Sequence, residues 1–160
     1  AAKQIRKHYP QTEFNMIGFI EPTENHYKED LRKLQEEGII IYRGSQKDVK
    51  PFVARAHATI HPSTYGEGMS NVLLESASSG RFLITTNNPG CQETLEDGKT
   101  GFIYPGGNVD ALVNAIDRFL AMSNTQRQQM GELGRERVKN IFSRTIVVNA
   151  YKEKIKELLS

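Results

Sequence analysis

The segment His61 to Gly80, HPSTYGEGMSNVLLESASSG, constrains this chain more than any other stretch. Ala58-Thr59-Ile60 reads as the end of a buried strand, which Pro62 and Ser63 stop. Gly66 and Gly68 flank Glu67 in a loop, and Ser70 or Asn71 can cap the helix that follows. Val72, Leu73 and Leu74 supply the apolar face of that helix, and Gly80 ends it. A strand that runs through a glycine-broken loop into a helix belongs to an α/β chain.

The remaining elements alternate in the same way, which predicts a Rossmann-like parallel sheet with helices on both faces. Ala1 to His8 reads as the tail of a helix, and Phe14 to Ile20 as a strand apolar enough to be buried. A helix over His26 to Glu37, with Leu31 and Leu34 inward, leads to a strand at Ile39 to Tyr42. A short helix carrying Phe52, Val53 and Ala56 spans Asp48 to His57. After Gly80 come a strand at Phe82 to Thr86, a small helix near Cys91 to Leu95 and a strand at Gly101 to Tyr104. Three helices near 108–122, 124–140 and 143–160 close the chain. Leu112, Ile116 and Phe119 share one face of the first, and Val147, Tyr151, Ile155 and Leu158 one face of the last.

The turn after His61 can serve a nucleotide-sugar. Backbone N–H groups of Gly68, Met69, Ser70 and Asn71 lie where a helix begins and can point at a diphosphate. Glu75, about one helical turn in, can accept two hydrogen bonds from a ribose diol, and Glu67 can accept from sugar hydroxyls. The plainer alternative is a solvated Glu75 on an unliganded α/β turn. Open parallel sheets bind ligands outside the carboxyl ends of their strands. Arg43 and Gly44 sit at one such end, where Arg43 reads equally well as an ordinary surface charge. Gly90 and Cys91 follow another. His61 invites reading as a catalytic base, but a hydrogen-bonded structural histidine fits its place better. His8, His26 and His57 show no metal-ligand spacing, and no Asp-x-Asp pair is present.

The run P-S-x-x-x-E-G-x-x-x-V-L-L-E-S-A-x-x-G, followed by F-L-I-T-T-N-x-P-G-C-x-E-T-x-x-D-G-x-T-G-F, resembles the family-4 (group 1) glycosyltransferases of the GT-B fold. Their hallmark is a Glu, seven residues and a second Glu, here Glu67 and Glu75. The resemblance implies that Glu67 contacts the donor sugar and acts in catalysis, and that Glu75 holds the ribose. It places the nucleobase near Arg43 and Gly44, and the Gly90-Cys91 loop at the sugar side, with Glu93 tying loops together. The P-G-C-x-E variant is similar to the branch that builds capsular or lipid-linked oligosaccharides from UDP-sugars; Gln92 stands where many members carry Arg.

On this resemblance, residues 1–160 are the donor-binding domain of a larger two-domain enzyme. Its acceptor domain, its first strand and the basic residues that meet the diphosphate would lie upstream of Ala1. The implied function is a retaining, metal-independent transfer from a UDP-sugar to a glycan or lipid-linked acceptor, without a cofactor. The rival readings are a GT-B sugar-nucleotide epimerase and a non-catalytic nucleotide-sugar-binding module.

Composition narrows the partners. A net charge of +2, with Lys and Arg scattered, argues against nucleic acid. The lone Cys91 excludes an internal disulfide framework and fits a reducing cytoplasm. No apolar stretch reaches membrane-spanning length, so a cytoplasmic protein, with at most peripheral membrane association, is expected.

Overall fold

A computed structural model describes residues 1–21, 24 and 26–159. The elements in chain order are α1 (Ala2–His8), β1 (Asn15–Met16), α2 (Tyr27–Glu36), β2 (Ile41–Tyr42), α3 (Lys50–Arg55) and β3 (Ala58–His61). Then come α4 (Asn71–Ser78), β4 (Phe82–Thr86), β5 (Gly101–Tyr104), α5 (Val109–Ala121), α6 (Asn124–Ile141) and α7 (Arg144–Leu159). The small helix expected near Cys91 is a single 3₁₀ turn over Gln92–Thr94. The final residue of the expected last helix, at position 160, lies outside the described residues.

Among the described residues the strand pairs are all parallel, as expected, but they form two ladders: β1 with β2, and β3-β4-β5 with β4 central. Every residue of β4 is buried, and the strand's alternation splits its side chains between two cores. Phe82 and Ile84 face one, with Ile5 of α1, Phe102 and Tyr104 of β5, and Ala115, Ile116 and Phe119 of α5. Phe82 packs its ring edgewise on Phe102 at 5.0 Å between centroids and against Phe119 at 4.9 Å. Leu83 faces the other core, with Leu73 and Ala77 of α4, Cys91, Leu95 and Val138 of α6. Helices therefore cover both faces of this ladder.

The α6 helix approaches through glycines that the sequence did not single out. A methyl group on Gly131 would lie 2.2 Å from the Gly80 carbonyl oxygen, so only glycine lets α6 seat on the turn between α4 and β4. Asn108 caps α5 by accepting from the Ala111 N–H, as its position predicts, and Ser123 with Gln126 forms a capping box on α6.

One expectation is corrected. The Phe14 to Ile20 segment is paired only over Asn15–Met16 and is exposed rather than buried, with Met16, Ile17 and Phe19 open to solvent. Only β2 pairs with it, so no strand among the described residues lies along its other edge, and Phe14 alone of its apolar residues packs on the Phe82 core. The apolar face of α7 is likewise uncovered: Val147, Tyr151, Ile155 and Leu158 are all exposed.

Candidate functional site

The loop between β3 and α4 is held by the loop after β4. In the register of these strands His61 stands opposite Thr85, whose hydroxyl donates to the His61 carbonyl at 3.0 Å. Beyond the strand ends, Asn88 Nδ2 donates to the Ser63 carbonyl at 2.8 Å. The Glu67 N–H donates to Pro89 O, and the Ser70 N–H to Gly90 O, both at 2.9 Å. Gly90 is required here twice over. Its φ is +83°, and a methyl group on it would lie 2.2 Å from the Glu67 carbonyl oxygen. Glu93 closes this loop on itself by accepting from the Gly90 N–H at 2.8 Å, a contact within one loop rather than between loops.

This frame brings Glu67 to His61. Their Oε1 and Nε2 atoms are 2.6 Å apart, with both side chains about one-fifth exposed. The His61 hydrogen bond is the main reason the Glu67 carboxyl is held below the usual carboxylate range; burial opposes it, and the Ser70 and Ser63 hydroxyls add smaller help. The Ser70 hydroxyl is close enough to favour the carboxylate's charge but forms no hydrogen bond of normal geometry. Cys91 lies beneath the pair, fully buried. Burial, and then the Glu67 charge, push its thiol up.

The entrance to α4 is open. Ser70 is its N-cap but provides no side-chain cap. Among the described residues, the N–H groups of Gly68, Met69 and Asn71 have no protein acceptor, whereas that of Ser70 is taken by Gly90. Open space surrounds the missing side chain of Gly68. Glu75 lies one turn beyond Asn71, exposed, on the side of α4 away from the buried Leu73, Ser76 and Ala77. Two surface hollows lie away from the entrance to α4, one along α6 at Gln129 and Leu133 and one between α2 and Tyr42.

The family model for glycosyl transferases group 1 matches residues 1–137. The chain belongs to the group 1 glycosyl transferases. It is 30% identical over 128 residues to the lipopolysaccharide core biosynthesis glycosyltransferase LpsE of Rhizobium meliloti, a match covering 78% of this chain and 37% of that protein. It is 32% identical over 133 residues to the capsular polysaccharide biosynthesis glycosyltransferase CapM of Staphylococcus aureus, covering 82% and 34%. The chain thus spans about a third of these relatives. Among solved structures, a glycosyltransferase from Rickettsia africae superposes with a TM-score of 0.87 at 25% identity, over 99% of this chain and 43% of that one. Anabaena HepE in complex with UDP gives 0.88 at 18% identity, over 98% and 44%. The fold is that of GT-B glycosyltransferases, as the motif resemblance implied.

In this group 1 chain the tertiary structure assembles most of the expected site residues in one place. Glu67, Gly68, Met69, Ser70, Asn71, Gly90 and Cys91 lie on two loops joined by hydrogen bonds. Arg43 and Gly44 do not join them by any hydrogen bond or ion pair. They belong to the other ladder, where Arg43 Nε donates to Asn15 Oδ1 at 2.9 Å and Gly44 O accepts from the Gly18 N–H at 3.0 Å. The residue undervalued in the sequence is His61. Its place at a strand end, just before a loop carrying a Glu, is the one signal that points to it. No helix among the described residues is long and apolar enough to cross a membrane.

Proposed function

We propose that this chain is the donor-binding part of a retaining, metal-independent glycosyltransferase that takes a UDP-sugar and builds cell-surface polysaccharide on a glycan or lipid-linked acceptor. The observation that carries the reading is the open, uncapped entrance to α4, with Glu67 before it and Glu75 one turn inside. A diphosphate there meets the N–H groups of Gly68, Met69 and Asn71 and the positive end of the helix. Glu67, held by His61, accepts from the sugar hydroxyls; Glu75 accepts from the ribose. In this reading catalysis comes from orienting the sugar and stabilising the charge that grows on the departing diphosphate. The names of the relatives, lipopolysaccharide core and capsule synthesis, support the product class. The edge of β1 that no described strand pairs with and the exposed apolar face of α7 support a second domain, and a strand beside β1, that complete the site in the whole protein.

The test is calorimetric titration of the whole protein with UDP and with UDP-sugars. Glu75→Ala should weaken both ligands by about tenfold, the loss of one or two charge-assisted hydrogen bonds. Glu67→Ala should spare UDP and weaken only the sugar nucleotide. Equal losses for both ligands at both positions overturn these roles, and sugar transfer by residues 1–160 alone overturns the need for a second domain.

A further inference from the structure

The His61, Glu67 and Cys91 side chains converge from three separate points of the chain, so that an Nε2, a carboxylate oxygen and an Sγ all lie within 4.8 Å of one another. We propose that these three residues form a binding site for one borderline-soft divalent cation of the Zn²⁺ type, whose occupation withdraws Glu67 from the donor sugar. The donor set carries the choice of ion. An imidazole, a thiolate and a carboxylate are the ligands that Zn²⁺ takes, and Mg²⁺ or Ca²⁺, which require oxygen cages, do not fit them. Three protein ligands leave a fourth position, and the partial exposure of His61 and Glu67 directs it to solvent above the buried sulfur.

The ligands are held in place before any ion arrives. His61 ends β3 and is pinned through its carbonyl by Thr85; Glu67 and Cys91 sit on loops joined through Pro89 and Gly90. The Cys91 carbonyl accepts from the Thr94 hydroxyl at 2.6 Å, which fixes the turn that aims the thiol. Binding therefore requires little more than opening the His61–Glu67 hydrogen bond and releasing the thiol proton to water. The ion is not a cofactor in this scheme. It neutralises and occupies the carboxylate that the proposed function assigns to the sugar, so it acts as an inhibitor. Only this inhibitory step rests on that assignment; the cation site stands on the geometry alone.

Titration of metal-stripped protein with Co²⁺ tests the site. The expected result is one Co²⁺ per chain, with the visible bands of a four-coordinate ion and a near-ultraviolet thiolate-to-cobalt transition, both bleached by Zn²⁺. Cys91→Ser should abolish the thiolate transition. His61→Ala should weaken binding on the order of 100-fold, the upper end of what losing even an outer partner of a metal site costs. The exposed His57→Ala should change nothing. If Cys91→Ser fails to fold, Glu67→Gln takes its place and should also weaken Co²⁺ binding. Absence of the thiolate transition in the parent protein, or binding as tight in His61→Ala as in the parent, overturns the site. Saturating Zn²⁺ should weaken UDP-sugar by about tenfold or more and leave UDP within about twofold; unchanged UDP-sugar affinity overturns the inhibitory step. A protein that binds UDP-sugar in chelator but no Co²⁺ loses only the metal site. One that binds Co²⁺ but no UDP-sugar loses only the donor reading.

Discussion

His61 Nε2 lies 2.6 Å from Glu67 Oε1, which couples the last residue of β3 to the middle of the loop ahead of α4. A carboxylate on a glycine-flanked loop has many rotamers, and this contact selects one. On the proposed donor reading, His61 acts as a positioning residue for Glu67. Double-mutant analysis with His61→Ala and Glu67→Ala should give a coupling of about 1–2 kcal/mol in UDP-sugar affinity, typical of a charge-assisted hydrogen bond, and none in UDP affinity. Additive effects would show that the contact does not orient the carboxylate.

Gly90→Ala should damage stability and the site together. The new methyl group meets the Glu67 carbonyl oxygen and the backbone is held at φ +83°, so a loss of about 1–3 kcal/mol is expected by denaturant unfolding. UDP-sugar binding should fall more than UDP binding, because the displaced segment carries Glu67.

Gly131→Ala separates packing from function. Its methyl group would press on the Gly80 carbonyl oxygen, remote from Glu67, so a loss of about 1–3 kcal/mol is expected. Ligand affinity of the folded variant should match the parent, as a titration well below the melting transition would check.

Ser76→Ala should stabilise. The Ser76 hydroxyl is buried on α4 without a hydrogen-bond partner, and Ala is the better helix former. A gain of about 0.5–1.5 kcal/mol is expected on thermal or urea unfolding. A loss would reveal a partner for this hydroxyl.

Acidification should release the Gly90 loop. The Glu93 carboxyl is held below its ordinary range, first by its own backbone N–H and then by that of Gly90. A depressed folded-state value means that this contribution is present above the unfolded carboxylate pKa, about 4.3, and is lost as pH falls through the lower folded value. Stability of the parent should thus drop more steeply below about pH 4 than that of Glu93→Gln. Parallel curves would show that Glu93 does not tie the loop.

Most elements were legible because their signals are local. Helix ends follow from neighbours such as Asn108 and Gly80, and the burial of β4 from an apolar run. The Phe14 to Ile20 strand misled because apolarity reports a capacity for burial, and burial itself needs a neighbour. Ser70 is a similar case. Its N–H belongs to a helix entrance by sequence, but the Gly90 carbonyl that occupies it comes from another loop.

By itself the amino-acid sequence determined the alternating α/β order, the strand-loop-helix around Glu67, and the spacing that puts Glu75 one turn into α4, since each depends on residues a few positions apart. The tertiary structure alone decided that His61, Glu67 and Cys91 share one small volume and that glycine seats α6 against the Gly80 turn. Those relations arise when β3 and β4 lie side by side in one register and bring their following loops into contact, and no periodicity along the chain records which loops will meet.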